Sequence, residues 1–385
     1  MSTTKISLTT ADNVEAPNCF KIRRRGILSG YIQIEGESPA VDIGDIQKRW
    51  QANKPVHLPG FVVNNLTSYE QEITKSKLLF ETISRGGEIE DILDLPEYVE
   101  RLGERFEMLA TRCDDADPQE IISVDYDVME NSEMIMEDVW MRVSQLSYQD
   151  DDDSLRFRFS FGMEGYDDVS EDFERQLAAA ELCENLFPES AIITKDEKLQ
   201  QCLTQIVSDN TNNSTDGDDN TDVVMVERII YFNAPNGGAQ FHHDAEKGHL
   251  GVVYAQITGE TFWFAMAKDA LVNEMMIFLA EEENLPFLQE AIANDKEFQE
   301  FIEEAADRNR LALALDDPGH NAISILLNNV TLFFEQLINN DYGYYLKAGD
   351  IMLLPQESMQ ACAWHSVFCA GNEAGQALSY AVKKV

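Results

Sequence analysis

Basic residues are scarce in this chain of 385 residues: 29 Lys and Arg stand against 70 Asp and Glu, a formal net charge of −41. A chain this acidic repels phosphate groups and anionic lipids at long range. Nucleic acid is therefore disfavoured as a partner, unless a local basic groove overrides the net charge. We interpret the acidity first as a solubilising surface and second as a surface for a cationic partner.

Long apolar runs and paired cysteines are also missing. No stretch approaches the roughly 20 apolar residues of a membrane span, and Met1–Pro17 lacks the apolar segment of a signal peptide. The six cysteines are scattered and form no CxxC pair, so neither a thiolate zinc site nor a disulfide framework is indicated. We therefore expect a cytoplasmic protein that does not bind membranes.

The sequence falls into three parts. Its apolar fraction of 44% is sufficient for a sizeable core. We predict N-terminal strands over 1–40, a helical part of the catalytic unit over 41–222, and a β barrel over 223–385. A helical insertion is predicted inside the barrel, at about 269–338.

Local patterns support the assignment of the first two parts. Phe20–Gly36 is rich in β-forming residues and predicts a strand pair. Tyr69–Ala110 and Ser170–Asn185 carry helical periodicity. Ser208–Asp222 contains no apolar residue and predicts a mobile surface loop.

From Val223 the sequence becomes β-branched and aromatic, as in VVMVERIIYF, GVVYAQI and TFWFAMA. Further short strands are predicted around Tyr344–Leu346, Ile351–Leu354, Ser366–Cys369 and Ala377–Val382. Many short strands separated by turn residues are typical of an all-β barrel or sandwich. With the helical segments, the predicted fold class is α+β and mainly β.

The histidines provide a candidate metal site. The chain has six, and three of them lie within FHHDAEKGHL, residues 241–250. His242 and Asp244 are two residues apart, so on a strand both side chains point to one face, while His243 points to the other. His365 precedes another predicted strand and can supply a third ligand. Two histidines and one carboxylate with open coordination positions are the arrangement of non-haem Fe(II) oxygenases, although Mn(II), Co(II), Ni(II) and Zn(II) also suit these ligands.

At these residues the sequence resembles the JmjC and cupin-8-like Fe(II)/2-oxoglutarate oxygenases. The segments that carry the resemblance are Lys54–Phe61 (KPVHLPGF), Gly237–Asp244 (GGAQFHHD), Ala255–Phe264 (AQITGETFWF), and the Gly-Asp, proline and Trp-His that lead to His365. The resemblance implies a cupin, or double-stranded β-helix (jelly-roll), barrel. It also implies that His242, Asp244 and His365 bind Fe(II) and that 2-oxoglutarate is the cosubstrate.

The chain departs from this family at the cation that pairs with 2-oxoglutarate. The family usually has a lysine at the position that Thr261 occupies here. Lys268 is the nearest substitute, but it lies an odd number of residues from Thr261 and so faces the opposite side of a regular strand. Thr261 and Lys268 are therefore the candidate cofactor-binding residues, and we expect weak or unusual binding of 2-oxoglutarate.

Four more residues are candidates for the pocket. Tyr254 and Gln256 share one face of a predicted strand and can donate hydrogen bonds inside the barrel. His249 and Glu246 lie between the HxD motif and the next strand. They can line the mouth, bind substrate or hold a second metal, and a solvated loop is the alternative for each.

The predicted function is that of a non-haem Fe(II)-dependent oxygenase that uses O₂ and 2-oxoglutarate on a small molecule or peptide. No catalytic residue beyond the metal ligands is predicted. One alternative is a 2-oxoglutarate-independent cupin metalloenzyme, either an oxygenase or a hydrolase with two metal ions. A second is a non-catalytic cupin that binds a cationic partner. A homodimer remains open.

Overall fold

Antiparallel sheets and the helices that cover them make up this protein. The computed structural model describes residues 5–9, 18–24, 28–36, 41–112, 120–146, 152–162, 172–208 and 223–384. Only Ser208 of the predicted loop Ser208–Asp222 belongs to these ranges. The rest of the loop lies outside them, so its mobility stays a prediction. None of the helices in the described ranges is long and apolar enough to span a membrane.

The strands follow the β-branched and aromatic segments of the sequence. In chain order, the strands of the described residues are β1 (Lys5–Thr9), β2 (Cys19–Arg24), β3 (Leu28–Glu35), β4 (Val56–Leu58), β5 (Phe106–Arg112), β6 (Glu120–Glu130), β7 (Glu133–Gln145), β8 (Leu155–Phe161), β9 (Val223–Asn233), β10 (Gly238–His242), β11 (Gly251–Gln256), β12 (Glu260–Ala267), β13 (Gly343–Lys347), β14 (Ile351–Pro355), β15 (Ala363–Ala370) and β16 (Gly375–Lys384).

The helices form two groups, one before β9 and one between β12 and β13. The first group is α1 (Ile43–Gln51), α2 (Val63–Leu66), α3 (Glu70–Ser84), α4 (Ile89–Leu93), α5 (Pro96–Leu102), α6 (Phe173–Leu186), α7 (Ala191–Thr194) and α8 (Glu197–Ser208). The second group is α9 (Lys268–Ala280), α10 (Leu285–Ile292), α11 (Asp295–Ala305), α12 (Arg308–Leu315), α13 (Asn321–Asn329) and α14 (Thr331–Asn339).

Two antiparallel sheets contain the described strands. One has the order β1-β3-β2-β15-β12-β13, with β10 also paired to β15. The other has the order β4-β14-β11-β16-β9-β8-β7-β6-β5. From β9 onward, successive described strands alternate between the two sheets. The exception is β12 and β13, which follow each other in the chain and pair within the same sheet. The described strands do not close into one continuous hydrogen-bonded barrel, so the fold is α+β with two separate sheets.

The two sheets face each other across a small cluster of buried side chains. Tyr254 and Leu354 of the nine-stranded sheet meet Trp263 and Val367 of the seven-stranded sheet in this cluster. Helices α1 and α3–α8 pack on the outer face of the nine-stranded sheet. Helices α9–α14 pack on the outer face of the seven-stranded sheet. The order of layers is therefore helix, sheet, sheet, helix, with the cavity described below between the sheets.

Alternation along β12 joins the helical insertion to the sheet. Trp263 points between the sheets, and its neighbour Phe264 points to the outer face. There the ring of Phe264 stacks on Phe334 of α14, with centroids 5.3 Å apart. The insertion is therefore held by aromatic contacts to the sheet that carries β10 and β15.

The part predicted as helical, 41–222, also contains strands. The helical prediction for 69–110 is wrong beyond α5, where Gly103 adopts φ 60° and β5 begins at Phe106. Glycine adopts a positive φ more readily than other residues because glycine has no Cβ, and a residue with a positive φ ends a helix. Strands β5–β8 then extend the nine-stranded sheet through the pairing of β8 with β9. The predicted strand pair in 20–36 is confirmed by the pairing of β2 with β3, and the domain boundaries stay a prediction.

We expect Phe264→Ala to lower the free energy of unfolding by about 3–5 kcal/mol, since it removes a buried ring from the contact between sheet and insertion. Phe287→Ala is the matched control, because Phe287 is 55% exposed, and its effect should stay within about 0.5 kcal/mol. Urea unfolding measures both. Equal losses in the two variants would contradict the packing described here.

Candidate metal centre

A register shift in the pairing of β10 with β15 brings two histidines together. Ala239 pairs with Val367, whereas His242 pairs with His365, so one extra residue lies in β10 between the two pairs. Without this bulge, His242 would stand opposite Trp364. Because a shift of one residue reverses the face of every following side chain, the bulge turns His242 toward the side of His365. The two ring centroids are 4.2 Å apart.

Asp244 completes the group from outside the strand. Since β10 ends at His242, the strand alternation that predicted this carboxylate is not the reason for its position. Its Oδ1 lies 3.4 Å from His242 Nε2, and its Oδ2 lies 3.4 Å from His365 Nε2. The ligand atoms of the three residues all lie within 4.8 Å of one another. We call His242, Asp244 and His365 the triad.

The second nitrogen of each ring faces a backbone carbonyl. His242 Nδ1 is 2.8 Å from the oxygen of Gln240, and His365 Nδ1 is 3.4 Å from the oxygen of Ala363. A carbonyl oxygen only accepts, so Nδ1 carries the proton, and Nε2 of a neutral ring then has a lone pair. That lone pair faces the oxygens of Asp244, which also accept. Acceptors that converge in this way favour a positive ion between them.

Burial and neighbouring charges set the protonation states of the triad. Burial lowers the pKa of His365 to about 4, with His242 acting in the same direction and Asp244 opposing it. Burial raises the pKa of the Asp244 carboxyl, but the two histidines outweigh it and hold that pKa below its usual range. A neutral His365 and an ionised Asp244 are the protonation states that bind metals.

The triad is enclosed on one side and open on the other. The side chain of His365 is 4% exposed, whereas those of His242 and Asp244 are 40% and 36% exposed. The indole of Trp263 stacks on the His365 ring, with centroids 5.3 Å apart and planes 20° apart. A ligand can therefore approach from the side of His242 and Asp244, while His365 is held in place from behind.

A cavity of about 720 Å³ opens beside the triad. Its walls come from both sheets and from the helical insertion, whose contribution includes Asp317, Ile323 and Leu327. Small-molecule sites commonly have volumes of roughly 300–1,000 Å³. The space is thus sufficient for a small molecule or a peptide side chain.

Of the predicted pocket residues on β11, only Tyr254 lines the described cavity wall. Gln256 is fully buried, and its Oε1 accepts hydrogen bonds from the hydroxyls of Tyr254 at 3.0 Å and Thr261 at 2.9 Å. The Thr261 hydroxyl also accepts one from Trp263 Nε1 at 2.8 Å. Gln256 and Thr261 therefore anchor the aromatic residues of the wall from behind instead of facing a ligand.

The structure does not bring the other three candidates to the triad. The ammonium of Lys268 lies 2.5 Å from each carboxylate oxygen of Asp316, which lines the cavity, whereas Lys268 itself is not part of the described wall. His249 and Glu246 face each other at 3.8 Å. Neither joins the metal-binding group found among the described residues, which consists of the triad alone.

Several cavity residues were missed from the sequence. Tyr231 and Asn233 of β9 and Arg156 of β8 all line the cavity. Alternation in LRFRFSF, residues 155–161, could have indicated a strand with Arg156 on its polar face. It could not have indicated that this face meets the cavity.

No protein-family model matches the sequence, and no curated protein matches it. Among solved structures, the chain is similar to an oxidoreductase of the 2OG-Fe(II) oxygenase family from Burkholderia pseudomallei, with a TM-score of 0.31, 8% identity, and coverage of 90% of this chain and 93% of that chain. It is also similar to YcfD, a ribosomal oxygenase from Escherichia coli, with a TM-score of 0.21, 11% identity, and coverage of 74% of this chain and 41% of that chain.

A structure of YcfD in complex with cobalt and succinic acid is similar at a TM-score of 0.21 and 13% identity, with coverage of 75% of this chain and 43% of that chain. This chain thus spans between 41% and 53% of the length of the YcfD chains that it matches.

We expect the metal-free protein to keep His365 neutral at about pH 6, with its proton on Nδ1. The folded pKa lies below the ordinary value of 6.5, so the unfolded chain takes up this proton first. The free energy of unfolding should therefore fall as the pH drops from about 6.5 toward 4. Imidazole ¹⁵N spectra, assigned with His365→Gln, measure the protonation state. An imidazolium signal from His365 at about pH 6 would refute the expectation.

Proposed function

We propose that this chain is a non-haem Fe(II)-dependent oxygenase of the cupin and JmjC type that uses O₂ and 2-oxoglutarate. The observation that carries the proposal is the convergence of two imidazole nitrogens and one carboxylate beside an open cavity. Two histidines and one carboxylate occupy one side of a metal ion, which leaves positions for O₂ and a cosubstrate.

The triad fits a divalent transition-metal ion. Ligand atoms bound at about 2.1 Å lie roughly 3.0 Å apart at right angles and roughly 3.4 Å apart in a tetrahedral arrangement. His242 Nε2 lies 3.4 Å from Asp244 Oδ1 and His365 Nε2 lies 3.4 Å from Asp244 Oδ2, and one ligand atom from each of the three residues lies within 4.8 Å of the others. Imidazole and carboxylate suit Fe(II), and they also suit Mn(II), Co(II), Ni(II) and Zn(II).

The strand order supports a double-stranded β-helix. Within the nine-stranded sheet the order β14-β11-β16-β9 forms one set of four strands, and β13-β12-β15-β10 forms the facing set. Alternate passage between two facing four-stranded sets is the topology of a jelly roll. The triad lies on β10, just after it, and on β15, within the second set.

The chain's own residues would orient ligands and exclude water. The carbonyls of Gln240 and Ala363 hold the two imidazole rings with Nε2 toward Asp244. Apolar residues of the insertion, such as Leu327, cover one side of the cavity. A bound Fe(II) would supply the O₂ chemistry that side chains lack. In the expected reaction one oxygen atom enters a substrate C–H bond, the other enters succinate, and 2-oxoglutarate loses CO₂.

Metal analysis tests the triad. We expect the wild-type protein to bind about one Co(II) per chain, and His242→Ala, Asp244→Ala and His365→Ala each to bind less than about a tenth of that. His243→Ala is the matched control, because the His243 ring packs against Trp364 at 5.1 Å and lies outside the triad. Unchanged binding in two of the triad variants would disprove the assignment.

Turnover tests the reaction. We expect the anaerobically prepared Fe(II) protein to convert 2-oxoglutarate to succinate when O₂ is added, and His365→Ala to abolish that conversion while His243→Ala retains it. Succinate is quantified by NMR. Metal binding without succinate formation would favour the 2-oxoglutarate-independent metalloenzyme, and the absence of metal binding would favour a non-catalytic cupin.

A further inference from the structure

Arg156 contributes a guanidinium to the cavity wall. It lies on β8 opposite Tyr231 of β9 and is half-buried. Its Nε donates a hydrogen bond to the hydroxyl of Ser144 at 3.2 Å. In the described part of the chain, the cavity is lined by no other lysine or arginine.

No described carboxylate neutralises this guanidinium. The chain contains 70 Asp and Glu, and other arginines of the same sheet have such partners: Arg158 pairs with Glu227 at 3.6 Å and Arg228 with Glu184 at 2.7 Å. The side-chain hydrogen bond of Arg156 goes to the neutral hydroxyl of Ser144. A charge that is partly removed from water without a counter-charge is unfavourable. The cavity therefore favours an anionic ligand at this position.

Arg156 and the triad line the same cavity, together with residues of β9, β11 and β12. Tyr231 and Asn233 lie two residues apart on β9, so both face the cavity. The side chain of Asn233 contacts that of Tyr254. The Tyr254 ring packs against Trp263 with centroids 4.6 Å apart, and Trp263 packs against His365 at 5.3 Å. Polar and aromatic side chains in contact with one another thus extend from Asn233 to His365, in the cavity that Arg156 also lines.

We propose that Arg156 binds one carboxylate of a small 2-oxo dicarboxylic acid, such as 2-oxoglutarate, whose other end reaches the triad. The inference rests on the proposed function, because the 2-oxo acid end would bind at the metal. Ser144 engages only Nε–H, so the two Nη groups can present paired N–H donors to a carboxylate. An acid with charges at both ends matches a cavity with a cation at one side and a metal site at the other.

This assignment also accounts for the departure at Thr261. In this chain the Thr261 hydroxyl donates a hydrogen bond to Gln256 Oε1 at 2.9 Å. The family that the sequence resembles has a lysine at the position of Thr261. In this chain the positive charge would come from β8, which lies outside the two four-stranded sets. Binding of 2-oxoglutarate would then be of ordinary strength, with an unusual position for its cation.

Calorimetric titration under anaerobic conditions tests the role of Arg156. The full chain is titrated with 2-oxoglutarate, which has two carboxylates, and with pyruvate, a 2-oxo acid with one, in the metal-free and the Zn(II)-loaded forms. We expect Arg156→Gln to weaken 2-oxoglutarate binding about ten- to a hundredfold, through the loss of charge-assisted hydrogen bonds. Pyruvate binding should change less than about twofold, and Arg156→Lys should lie between wild type and Arg156→Gln.

Arg105→Gln is the matched control. It removes the same charge from a residue that pairs with Glu181 and lies outside the described cavity wall, so both affinities should be unchanged. Near-ultraviolet circular dichroism verifies that each variant is folded. Wild-type affinity for 2-oxoglutarate in Arg156→Gln, an equal loss for pyruvate, or no binding by the wild-type protein at millimolar 2-oxoglutarate would overturn the inference.

The two proposals fail in distinguishable ways. Stoichiometric Zn(II) at the triad with 2-oxoglutarate binding unaffected by Arg156→Gln would overturn the inference and retain the metal site. Arg156-dependent binding of 2-oxoglutarate without metal at the triad would retain the carboxylate site and overturn the proposed oxygenase.

Discussion

The pairing of β10 with β15 is the interaction on which the candidate centre depends. The extra residue before His242 reverses its face, so that its ring meets His365 instead of standing opposite Trp364. Because the strand ends there, the chain can turn and bring Asp244 toward both rings. A local irregularity in one short strand thus determines whether three ligand atoms converge, and the backbone carbonyls that orient the rings belong to the same two strands.

The outer layers hold this pairing in place and shape the space beside it. The insertion packs on the sheet that contains β10 and β15, and it also supplies one wall of the cavity. The nine-stranded sheet continues past β9 to β8, which carries Arg156 into the opposite wall. Residues far apart in the sequence therefore determine the charge at one side of the cavity and the donor atoms at the other.

Local patterns were sufficient for part of this arrangement. The short strands after residue 343 were predicted, because strand alternation and turn residues are local. His242 and His365 are far apart in the sequence, and their grouping was predicted from the order of the motifs and from the family resemblance. The position of Arg156 was not, since the pairing of residue 156 with Tyr231 is a long-range contact. Thr261 was chosen as a cofactor contact from the resemblance alone, and its hydrogen bonds depend on side chains that meet only in the folded protein.

The central claim is that the triad holds one divalent ion, and an anomalous-scattering crystal structure of the Mn(II)-loaded protein tests it most directly. The account predicts one anomalous peak about 2.0–2.2 Å from Nε2 of His242, Nε2 of His365 and a carboxylate oxygen of Asp244, with the remaining positions open to the cavity. A protein that binds Mn(II) elsewhere, with no peak between these three side chains, would contradict it.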